Sequence, residues 1–188
     1  MANTTSINAD TTPQVLQTYA LLQIAAEAVM GIDRQAPASN PGTTPLVKLD
    51  DAMLQVGNLH SSKMTAAQAT EFAQNWKVVS HQPNTATGFS ATLFEYVGTD
   101  PQPTASKYVV SFRSTEFIED QVRDSKATNE LEIKEGGWAF GQISDMRKWY
   151  AAQVAPLLTG GNRVDVTGYS LGGHLATAFY ELYSDKAG

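Results

Sequence analysis

Hydrophobic positions along this chain recur first at helical spacing, then at strand spacing, then at both in turn, and this succession predicts most of its elements. Residues 1 to 12 are small and polar and read as a loose lead-in. Thr12-Pro13 then marks a helix start, with Thr12 at the N-cap and Pro13 at the first helical position, where a missing N–H does no harm. Val15, Leu16, Tyr19, Leu22, Ala26 and Met30 follow at three- and four-residue spacing, and Gly31 closes the segment. Between Asp33 and Asn58 the prolines and glycines predict a long connection with one short helix near Leu49 to Leu54. Thr65 caps a further helix reaching about Asn75, with Ala66, Ala69, Phe72 and Trp76 on one side.

The period then changes. Lys77 to Ser80 reads as a short strand, Phe89 to Val97 as a second and Lys107 to Arg113 as a third. Gly98 to Ser106, with its prolines, turns between the last two, so an antiparallel hairpin is expected. Ser114 to Gly136 is polar and acidic and carries no clear period. Trp138, Phe140, Ile143, Met146, Trp149, Tyr150, Val154 and Leu157 then show the best helical spacing in the chain, ended by Gly160-Gly161. A strand from Arg163 to Thr167 and a helix from Leu171 to about Tyr183 complete the pattern. Strand, long helix, strand, helix is the signature of a right-handed parallel crossover, so the architecture is α/β. The expected organisation is a single domain over 1–188, with a mainly helical lead-in over 1–76 and a mostly parallel, helix-flanked sheet over 77–188.

Composition narrows the partners. The 188 residues are 42% hydrophobic and 17% charged, as a chain with one buried core requires. A net charge of −6 without a basic cluster makes nucleic acid and anionic membranes poor electrostatic partners, and leaves lipid or small esters open. The absence of cysteine excludes disulfides and thiol chemistry. The N-terminus lacks the charged and apolar regions of a signal peptide, and no run approaches the roughly 18 apolar residues of a membrane span. Export by a route without an N-terminal signal is slightly favoured over a cytoplasmic location.

The chemistry gathers where the last strand meets the last helix. Gly168-Tyr169-Ser170-Leu171-Gly172 is a Gly-x-Ser-x-Gly sequence in a strand–turn–helix context, which exposes the serine at the tip of a tight turn. Gly168 and Gly172 leave room for strand and helix backbones to pass closely. Ser170 is therefore the candidate nucleophile. A serine hydroxyl is weak by itself and requires a histidine base, an orienting carboxylate and N–H donors for the developing oxyanion.

Two separated segments, Val109-Val110-Ser111-Phe112-Arg113-Ser114-Thr115-Glu116 and Val166 to Ala176, together resemble the class 3 lipases. That family carries a strand ending in Phe-Arg-Gly-Thr and an elbow of Gly-His-Ser-Leu-Gly-Gly; here Ser114 and Tyr169 stand in place of its usual glycine and histidine. The resemblance covers about residues 107 to 183. It implies the N-terminal portion of an α/β-hydrolase fold, with Ser170 as nucleophile, Thr115 and Leu171 forming the oxyanion hole, and a substrate-facing loop over Thr115 to Gly136. The implied activity is lipase- or phospholipase-like ester hydrolysis, without cofactor or metal.

The family's acid and histidine follow the nucleophile on later loops, and only 18 residues follow Ser170 here. The catalytic Asp and His are accordingly expected beyond residue 188, and this chain alone is expected to be inactive. Of the local histidines, His174 lies on the helix behind the elbow and reads as a packing or capping residue, while His60 and His81 fall in irregular segments. Asp165 reads as a strand residue, and Glu116, Glu119, Asp120 and Asp124 as a solvated loop face. The alternative function is a non-catalytic binding or assembly module retaining the elbow for structural reasons. Either way, the elbow strand stands as a sheet edge, open to association with another chain or with a missing C-terminal portion.

Overall fold

A computed structural model of the chain describes residues 12–28, 49–58, 62–114 and 132–188. Its centre is a four-stranded sheet in the order β1 (Trp76–Gln82), β2 (Ala91–Tyr96), β3 (Tyr108–Phe112) and β4 (Val164–Gly168). Helices cover both faces, so the protein is α/β. The sheet is mixed. β1 with β2 and β2 with β3 are antiparallel, and only β3 with β4 is parallel. This corrects the expectation of a mostly parallel sheet. Two-strand hairpins need only short turns, and the connections from Pro83 to Ser90 and from Val97 to Lys107 are too short for the helical crossovers that parallel pairing demands. The expected hairpin and the expected crossover both form.

One face of the sheet receives α1 (Pro13–Ala28), α2 (Asp51–Val56) and α3 (Ala66–Asn75). Leu22, Ala25, Leu54, Ala69 and Phe72 pack there on Phe94, Tyr96 and Val109. The other face receives α4 (Phe140–Trp149) and α5 (Leu171–Leu182). Met146, Trp149, Leu175 and Phe179 pack there on Leu93, Val110, Phe112 and Val164. Burial on both faces is why all six residues of β2 are buried rather than every second one.

Local chemistry sets the helix starts. Thr65 and Gln68 make a reciprocal capping box, and the Asp50 carboxylate accepts the Met53 N–H. Trp76 departs from its expected place on a helix: its backbone is extended, and it caps α3 while opening β1. Its indole still lies against Phe72, with ring centroids 6.1 Å apart, which reproduces the helical stripe from a strand position. β1 also extends through His81, placing that residue in regular structure rather than in an irregular segment. In α1 the expected stripe is buried only from Leu22 onward. Leu16 is 57% exposed while Val15 and Tyr19 beside it are half-buried, so Leu16 stands on the solvent side of α1 together with Ala20. Met30 and Gly31 lie outside the described residues. α4 continues into a π-helical turn (Tyr150–Val154) and a 3₁₀ turn (Ala155–Leu157), where Pro156 supplies no N–H for further helix.

β4 is an edge strand, but its edge is not wholly bare. Beyond α5 the chain returns so that Ala187 bridges Val164 in parallel, with Val164 N–H donating to the Lys186 carbonyl and Gly188 N–H to the Val164 carbonyl.

Candidate active site

Between the end of β4 at Gly168 and the start of α5 at Leu171 only Tyr169 and Ser170 remain to reverse the chain. The strain falls on Ser170, whose φ of 53° and ψ of −121° make it the one non-glycine residue with positive φ among the described residues. Such a backbone persists only where its surroundings hold it. The holders are visible. Gly172 N–H donates to the Tyr169 carbonyl at 2.9 Å, and the N–H groups of Gly173 and His174 donate to the Ser170 carbonyl at 3.0 and 3.2 Å. Ser170 is exposed at the tip, beside Tyr169, which is 70% exposed.

The glycines are required by backbone contact. A Cβ at Gly168 would overlap the Gly172 carbonyl, and a Cβ at Gly172 would overlap the carbonyl oxygen of Phe112 in β3. The elbow thus packs backbone on backbone against the strand that precedes the second predicted oxyanion position. Leu171 is the first residue of α5, where an amide has no carbonyl one turn back within the helix to donate to, and its N–H finds no backbone acceptor among the described residues. Thr115 lies outside the described residues, as do His60, Glu116, Glu119, Asp120 and Asp124.

The described histidines are occupied elsewhere. His174 Nε2 accepts the Ala139 N–H at 3.3 Å, which leaves the ring proton on Nδ1, and its ring lies on Trp138 with centroids 5.0 Å apart. This is the packing and capping role, joining α5 to the start of α4. His81 is fully buried in β1, its Nδ1 paired with Thr92 Oγ1 at 2.9 Å. Neither makes a hydrogen bond to Ser170. Asp165 is buried at the start of β4, whereas Ser170 follows that strand's end. Its Oδ2 accepts the Tyr19 hydroxyl at 2.6 Å and the Ser106 N–H at 3.0 Å, so it ties α1 to the sheet. Burial, reinforced by the Asp165 carboxylate, pushes the Tyr19 hydroxyl pKa up. Among the described residues no group of three or more His, Asp or Glu is arranged to hold a metal.

Burial holds the His174 imidazole below its ordinary pKa. The folded protein therefore takes up this proton less readily than the unfolded chain, and protonation would also remove the acceptor that Ala139 uses. The resulting stability is complete above the unfolded value near 6.5 and is lost as pH falls through the lower folded value. Urea midpoints measured on the acid side of pH 6.5 are expected to drop less steeply in His174→Gln than in the unaltered chain. Parallel slopes would remove His174 from this role.

Sequence reasoning missed a set of polar residues around the end of β3. Arg113 is buried, its Nη2 donating to Asn84 Oδ1 at 2.6 Å. Glu27 of α1 accepts the Ser114 N–H, and Gln23 accepts the Ser111 hydroxyl. A signal existed, since Gln23 and Glu27 stand four apart within the otherwise apolar run from Leu21 to Ala28. A groove of about 270 Å³ between α1 and α3, lined in part by Gln14, Thr18, Gln68, Asn75 and Tyr96, contains no elbow residue. No family model, no curated protein and no solved structure matches this chain.

Proposed function

We propose that the chain is the nucleophile-bearing part of a serine ester hydrolase, lipase- or phospholipase-like, built on an α/β-hydrolase fold. The observation that carries this reading is the strained, exposed Ser170 between a parallel strand and a helix, with backbone packing that only Gly168 and Gly172 permit. Ser170 Oγ attacks the ester carbonyl carbon, the ester C–O bond breaks, and the alcohol leaves. Water then cleaves the acyl-Ser170 ester to release the acid. The Leu171 N–H and, by the lipase resemblance, Thr115 stabilise the oxyanion. A histidine base, oriented by a carboxylate, takes the Ser170 proton and passes it to the leaving alcohol. The substrate is a lipid or small carboxylic ester, and no cofactor takes part.

The test is a fluorophosphonate probe applied to the natural protein. Ser170 is expected to take the label, and Ser170→Ala to lose it completely. Label that survives the substitution overturns the assignment.

The edge of β4 favours a second reading, a binding or assembly module. Ala187 covers only its first residue, and from Val166 to Gly168 the outward backbone groups have no ladder partner among the described residues, as in sheets that accept an added strand. Under that reading Ser170 stays unlabelled in the unaltered protein, so one experiment separates the two.

A further inference from the structure

Helix α1 brings two polar side chains, one helical turn apart, to the end of β3. Glu27 Oε1 accepts the Ser114 N–H at 3.1 Å and the Gln23 side-chain amide at 3.1 Å, while Gln23 Oε1 accepts the Ser111 hydroxyl at 2.9 Å. Ser111 and Ser114 flank Phe112-Arg113, the point where the strand ends. From this chain of hydrogen bonds we infer that Glu27 is a positioning residue for the nucleophile turn, holding the Ser114 amide and so setting the backbone against which the elbow packs. The inference rests on the reading of Ser170 as nucleophile.

The choice of residue argues for this role. Glu27 is only 7% exposed, and a carboxylate taken out of water is costly unless it is hydrogen-bonded. Docking of α1 does not require it, because Leu22, Ala25, Ala26 and Ala28 already supply a fully buried apolar face and Tyr19 is tied to Asp165. An alkyl side chain at position 27 would dock the helix equally well. What a carboxylate adds is a charge-assisted acceptor for an amide that has left the sheet ladder and would otherwise lack a partner.

The consequence for the elbow follows from peptide geometry. The Ser114 N–H and the Arg113 carbonyl belong to one planar unit, so fixing the first fixes the second. The Arg113 carbonyl carbon and the Phe112 carbonyl are the atoms against which Gly172 lies, within 3.2 Å of where its Cβ would stand. On the strand side, Arg113 N–H donates to the Ser90 carbonyl at 3.2 Å. Glu27 therefore acts through Ser114 and Arg113 on Gly172, two residues after Ser170 and one after the Leu171 amide. The same amide precedes Thr115, the position that the lipase resemblance implies as second oxyanion donor.

Glu27→Ala should release the Ser114 amide, and its hydrogen exchange, followed by NMR on the full chain, is expected to accelerate about tenfold or more. In the natural protein acting on p-nitrophenyl butyrate, kcat should fall about 10- to 100-fold with KM nearly unchanged, because the reacting groups are displaced while the ester site remains. Labelling of Ser170 by fluorophosphonate should slow in proportion. Glu27→Gln keeps a carbonyl oxygen for Ser114 and is expected to restore most of both effects, which guards against a variant that merely fails to fold. Unaltered Ser114 exchange in Glu27→Ala overturns the inference, and so does a freed amide with unaltered kcat. If the unaltered protein labels at Ser170 and Glu27→Ala labels at the same rate, only the positioning role falls. If the unaltered protein takes no label at Ser170, the hydrolase reading itself falls.

Discussion

Gly172→Ala is expected to destabilise the fold by about 2–3 kcal/mol, the cost of forcing a methyl into an already packed site. In an exposed helix the same exchange would stabilise by about 1 kcal/mol, so the sign is set by tertiary contact. The added Cβ would overlap the Phe112 carbonyl oxygen and stand 3.0 Å from its carbon. That carbonyl cannot swing aside, because Phe112 is held between Ala91 of β2 and Gly168 of β4 in the sheet register. Gly173→Ala supplies the control. Its nearest backbone neighbour, the Gly168 carbonyl oxygen, would be 3.3 Å away, a tight contact that a small shift relieves. Urea denaturation of the two variants side by side should separate them clearly. Equal stability would mean that α5 docks farther from β3 than the structure places it.

Trp149→Ala should cost more, about 3–5 kcal/mol, in line with other large-to-small replacements in full burial. Trp149 has no exposed surface and sits at the centre of the core beneath α4, with its ring 6.0 Å from that of Phe89. Its indole N–H donates to Ser80 Oγ at 3.2 Å, linking α4 to β1 across the sheet. Truncation leaves a cavity beside Phe89 in the buried cluster and removes that donor. For a chain of this length the loss corresponds to a fall in melting temperature of about 6–20 °C. A fall of a degree or two, measured by circular dichroism, would contradict the placement of α4. Because Trp149 lies far along α4 from the His174 contact at Ala139, the Ser170 turn should keep its geometry in whatever fraction remains folded.

Much of the element map was legible because its causes are local. Thr65 and Gln68 announce their capping box three residues apart, Thr12-Pro13 opens α1, and Gly168-x-Ser-x-Gly172 marks the turn that strains Ser170. Trp76 was misplaced because its side chain satisfies the helical stripe from an extended backbone, which no periodicity count distinguishes. Leu16 was misplaced for another reason: it fits the three- and four-residue spacing, but it stands with Ala20 on the side of α1 turned to solvent. The share of parallel pairing was overestimated: the hairpin of β2 with β3 and the parallel step from β3 to β4 were both read, but the antiparallel pairing of β1 with β2 was not, and pairing direction is decided strand by strand through connection length. Thr115 stays a reading of the sequence, outside the described residues.

By itself the sequence determined the kinds of element, the hairpin, the crossover and the identity of Ser170 as the residue at the tip of the turn, because capping, glycine spacing and hydrophobic period act within a few residues. Only the tertiary structure decided which buried polar groups meet. Glu27 reaches Ser114 from 87 positions away, and Tyr19 reaches Asp165 from 146. A carboxylate in an apolar helical run signals a buried partner, yet the partner's identity depends on how that helix crosses the sheet, which only long-range packing of the two faces sets.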